Sequence, residues 1–124
     1  MKRIITGILL LLLLASVAIW AQTGHSVTLS WPLYVQGTGD QAVGLNIGRT
    51  TTAGGTNYTI INTTLIPVTT LSYTDTLVTS GTSYYYSSNA QDANGNVSTW
   101  SAQIGPVTIP GNPAVPPKLT FVVH

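Results

Sequence analysis

Side chains able to do chemistry are scarce in this chain of 124 residues, and their spacing suits none of the common reactions. The histidines are His25 and His124, and neither stands in a pattern with a serine or aspartate that would activate a nucleophile. Glu is absent, so a pair of carboxylates for glycoside cleavage would have to come from Asp40, Asp75 and Asp92. All three fall in predicted loops and turns, where an aspartate caps backbone N–H groups. Asp92-Ala-Asn94-Gly-Asn96 echoes a calcium loop, but its positions are out of step and no acidic residue closes it. Its Asn94-Gly95 step reads instead as a hairpin turn. No catalytic residue, metal site or cofactor is expected. The aromatic side chains Tyr34, Tyr85 and Trp100 are the candidate recognition residues, since such faces stack on sugars or anchor protein partners. In a purely structural role Trp100 would cap the end of a core, and Tyr85 would pack across neighbouring strands.

The elements that would position these groups begin after a leader. Met1-Lys2-Arg3 is a short basic head, Ile4 to Trp20 is apolar, and Ala21 is a small residue at the exit. That order describes a secretory signal peptide, residues 1–21, cut after Ala21. The apolar stretch is at the short end for a membrane span of about 20 residues, so no stable span is expected after cleavage. Cleavage leaves Arg49 and Lys118 against Asp40, Asp75 and Asp92, a net charge of −1. No basic patch remains for phosphate backbones, which argues against nucleic acid as a partner. Cysteine is absent, so a secreted or cell-surface form would rest on its apolar core without disulfides.

Beyond residue 21 helix signals vanish. Short stretches rich in Thr, Val, Ile and Tyr alternate apolar with polar, and Gly, Asn, Asp and Pro interrupt them about every ten residues. Val27, Leu29 and Trp31 share one face of the first predicted strand. Val43, Leu45 and Ile47 share the inner face of the second, Val43 to Arg49. Tyr58 to Ile61 and the stretch around Leu71 and Tyr73 are short strands. Ser83 to Gln91 is the longest, with Tyr84, Tyr86, Ser88 and Ala90 on one side. Ala102 to Ile109 closes the domain, residues 22–110. A Pro-rich linker, 111–117, and a strand-like tail, 118–124, follow. The pattern predicts an all-β sandwich or barrel.

Ser26-Val-Thr-Leu-Ser-Trp31, Gly44-Leu-Asn-Ile-Gly-Arg49, Gly54-Gly55 with Tyr58, and Tyr73-Thr-Asp75 come in order. Gly81-Thr-Ser-Tyr84-Tyr-Tyr86, Ala90-Gln-Asp92-Ala-Asn-Gly-Asn96 and Val107-Thr-Ile-Pro110 complete the series. Together they resemble a fibronectin type III domain of the kind found in exported bacterial proteins, an immunoglobulin-like β-sandwich. The resemblance implies a structural core of Trp31, Leu29, Ile47, Tyr84 and Tyr86, with Tyr84 as the tyrosine corner bonding backbone upstream. It implies a non-catalytic structural or interaction module that meets a protein partner. Gly48 departs from the family pattern by standing where an aromatic is usual, and Ser88 by occupying an inward place normally held by Val. Only Gln22, Thr23 and Gly24 would precede His25, so the family's first strand is missing or supplied by another segment. Lys118 to Val123 resembles such a strand, with Leu119, Phe121 and Val123 on one face. A donor strand passed to a neighbour would build a head-to-tail filament, and a carbohydrate-binding adhesion module is the other alternative.

Overall fold

The computed structural model describes residues 24–124; the expected leader lies outside the described residues. Seven strands follow one another: β1 (Val27–Ser30), β2 (Ala42–Thr50), β3 (Thr59–Ile60), β4 (Ile66–Pro67), β5 (Ser72–Asp75), β6 (Ser83–Asp92) and β7 (Ile104–Thr108). They form two antiparallel sheets, which together make the immunoglobulin-like sandwich. One is β1–β5 alone, and the other runs β3-β2-β6-β7 with β4 also bonded to β2. No described helix is long and apolar enough to cross a membrane.

Period-two alternation turns Val27 and Leu29 of β1 onto Leu45 and Ile47 of β2 and Tyr84 and Tyr86 of β6. Ile66 and Ile109 complete this buried cluster. Trp31, just past β1, is half-buried against it rather than sealed inside. The Tyr84 hydroxyl accepts the backbone N–H of Thr79 at 3.1 Å and ties the loop before β6 to the core. The Thr79 bonds, with Arg49 close by, hold this phenol below the ordinary tyrosine range.

Several expectations change. Val43 is 47% exposed, because a bulge between Ala42 and Gly44 shifts the pleat and turns it outward. Leu71 is exposed and precedes its strand. Ile66–Pro67 pairs with β2, although its residues show no alternation. Asp75 is no surface turn residue but the buried end of β5. The last strand starts at Ile104, and the stretch before it follows β6 by other means. Lys118 to Val123 forms no strand, and Leu119, Phe121 and Val123 stand in solvent.

Candidate functional site

Asp75 shows how closed this core is on one side. Its carboxylate accepts Arg49 Nη1 at 2.8 and 2.9 Å, the Tyr86 hydroxyl at 2.9 Å and the N–H of Leu77 at 3.0 Å. Burial, followed by the Asp75 carboxylate, pushes the Tyr86 phenol far above its usual range. Arg49 also lies 4.9 Å from the Tyr84 ring centre, a cation–π contact. Both charges are used inside the fold, one strand from each sheet, so Asp75 has no oxygen free for chemistry. Asp92 caps its own hairpin, accepting from Asn94, Asn96 and the Asn96 side chain. The Asn96 bonds, above all, hold its carboxyl below the usual carboxylate range.

The outer face of the larger sheet is also occupied. Asn46 donates to Asn89 and Gln91 while Asn62 donates to Asn46, so buried amides satisfy one another. Gly48 leaves the outer pleat empty, and Tyr58 and Trp100 fill it, with ring centres 4.8 Å apart. Trp100 gets there because the chain between Ser98 and Ser101 leaves the ladder. The hydroxyls of those two serines accept the N–H groups of Ala90 and Ser88, in place of backbone carbonyls. The Ser88 hydroxyl meets Ser101 at 3.4 Å, a partly exposed partner rather than a buried one.

The other flank is open. The N–H of Trp31 donates to Leu71 at 3.0 Å, so by alternation Val27 and Leu29 also face β5. The N–H and C=O groups of Thr28 and Ser30 face the opposite way, where no described strand lies. Beside that free edge runs a groove. Its first part is a cavity of about 180 Å³ bounded by Leu29, Trp31, Ile47, Tyr86, Ser101 and Ile104. Trp31, Ser88 and Ser101 carry it into a second cleft reaching Tyr34 and Trp100. Tyr34 leads on to a polar mouth with Asp40 and Asp92. The indole N–H of Trp31 is buried here with no acceptor among the described residues.

The structure thus brings Tyr34 and Trp100 to one cleft and leaves Tyr85 apart, against Gly105. Leu29, Trp31, Ile47 and Tyr86, expected only as core, prove to line the groove as well. Their alternation alone could not reveal this, because it tells which side is inward and not whether that side is covered. His25 lies two residues before β1, close to Gly111 and Pro113, and His124 ends the exposed tail. Among the described residues no cluster of histidine and carboxylate groups could hold a metal ion.

No family model matches the chain, and no curated protein does. Among solved structures it is similar to the crystal structure of a Fn3-like protein from Clostridium thermocellum. The two are 36% identical over 66% of this chain and 75% of that one, with a TM-score of 0.52.

Proposed function

The chain belongs to the fibronectin type III-like family, and from that premise we propose that it is an exported, non-catalytic interaction module that binds an extended protein strand along the groove beside β1. The observation that carries this reading is the coincidence of a free strand edge with an uncovered core. Among the described residues no strand pairs with the outward backbone groups of Thr28 and Ser30, and the apolar walls of Leu29, Trp31, Ile47 and Ile104 stand beside them. Strand addition uses both: the backbone supplies affinity and alternate side chains fill the pockets. The remaining free edges are poorer. Strand β3 has two residues, β7 carries Gly105 and Pro106, and the hydroxyl of Tyr73 ties β5 to Ile61.

Export is supported by the leader pattern and by the neutral, hydrogen-bonding surface. The non-catalytic role is supported by the engagement of Asp75 and Asp92 in structural bonds. Carbohydrate stacking remains a second use of Tyr34 and Trp100, which share a cleft wall.

A library of random ten-residue peptides displayed on phage tests the reading. Enrichment of peptides alternating apolar with polar residues is expected. That enrichment should vanish with Ser30→Pro, which deletes an N–H of the free edge and leaves the ladder to β5 intact. Equal enrichment by Ser30→Pro, or none by the native protein, overturns it.

A further inference from the structure

Resting on that reading of the groove, we infer that its occupant is the segment Lys118 to Val123 of a second copy of this chain, entering antiparallel to β1. Leu119, Phe121 and Val123 are 90, 88 and 83% exposed, a run of apolar side chains that no other described residue covers. They recur at every second residue, so in an extended strand they share one face. The groove beside the free edge of β1 takes one such face. A cavity of about 150 Å³ with apolar walls accepts a benzene-sized group, and the cavity beside Leu29 measures about 180 Å³. The Phe121 ring fits that volume.

Direction follows from two observations. The chain leaves β7 at the pole where β1 begins, since Gly111, Asn112 and Pro113 lie against Gly24 and His25. A strand antiparallel to β1 must start at the far pole, beside Trp31 and Tyr34. To reach it, the tail of the same molecule would have to recross the sandwich. The eight residues Pro110 to Pro117 span at most about 28 Å, and four of them are proline, which favours a stiff, extended run. A second copy whose far pole stacks on the pole where the tail leaves receives it without a reversal.

Charge agrees with the same direction. Among the described residues Lys118 is the only lysine, and the only arginine, Arg49, is bound to Asp75. Lys118 leads the segment, so antiparallel entry sets it at the groove mouth with Asp40 and Asp92. Parallel entry would set it beside His25. Because the surface given and the surface received differ, the contact does not close on itself and extends into a filament.

Two variants of the full chain, exported with its leader, test the inference. Phe121→Asp spoils the donated strand and leaves the groove; Ser30→Pro spoils the groove and leaves the strand. Light scattering should find the native protein in species that lengthen with concentration. Each variant alone should be monomeric at the same concentration, with mean mass at least fivefold lower. An equimolar mixture should give dimers and stop there, since only one productive junction exists. That rescue also shows both variants to be folded. A native protein that stays monomeric at every concentration overturns the inference, as does assembly that persists in Ser30→Pro. A monomeric native protein that still selects peptides through Ser30 would leave the strand-binding groove standing and remove only the second copy as its occupant.

Discussion

Asp75 and Trp31 each carry a polar group out of reach of solvent, on opposite flanks of one core. The carboxylate of Asp75 meets Arg49, Tyr86 and Leu77, and both sheets contribute to its shell. The indole N–H of Trp31 meets no acceptor among the described residues. The flanks differ in what lies beside them. Near Asp75 the smaller sheet is paired and β2 and β6 cross behind it. Near Trp31 no described strand lies beyond β1, and the core walls line a groove. A buried polar group left unpaired costs about 1–3 kcal/mol, so one flank is stabilised by its polar atoms and the other is taxed by them. The lesson is that, among the described residues, the unpaired buried donor lies on the flank where β1 has a free edge and the paired carboxylate on the flank where the sheets are closed.

The comparison can be broken most severely at Asp75. Asp75→Ala strands the Arg49 charge and the Tyr86 hydroxyl, and removing one partner of a buried pair costs about 3–5 kcal/mol. Urea unfolding should show that loss as a lower midpoint with an unchanged slope. A smaller effect is expected on the outer face. A Cβ at Gly48 would lie 2.6 Å from Tyr58 and 2.8 Å from the Trp100 ring. Gly48→Ala should therefore cost about 1–3 kcal/mol, with a change in the near-ultraviolet circular dichroism of Trp100. The smallest effect belongs to the open flank. Trp31→Phe gives up packing but removes the unpaired donor, so its stability should stay within about 1 kcal/mol of the native protein. A loss from Trp31→Phe as large as that from Asp75→Ala would erase the distinction between the flanks.

Much of this could be read from residue order. The alternation in Val27 to Trp31 and in Tyr84 to Tyr86 needs no partner to show which side is inward. What escaped was whatever depends on residues far apart in the chain. Arg49 and Asp75 are separated by 26 positions, and nothing local tells that a turn-like aspartate ends in a buried ion pair. Gly48 reads as a gap in the pattern, and its reason is Trp100, which packs over it on the same outer face. Val43 was misplaced by a bulge, which breaks alternation without changing composition. The groove was not legible at all, because a sequence shows strands but not the space between them.

Ser98 and Ser101 carry one more consequence. Their hydroxyls accept the N–H groups of Ser88 and Ala90, and a hydroxyl can rotate away while every backbone ladder of the sheet stays in place. Those two amides should exchange with deuterium sooner than their neighbours Tyr86 and Gln91, as expected of a low-energy local opening. Ser101 also borders the cavity beside Leu29. The wall facing β1 therefore has a latch of side chains, able to yield on the timescale of local breathing while the sandwich behind it stays shut.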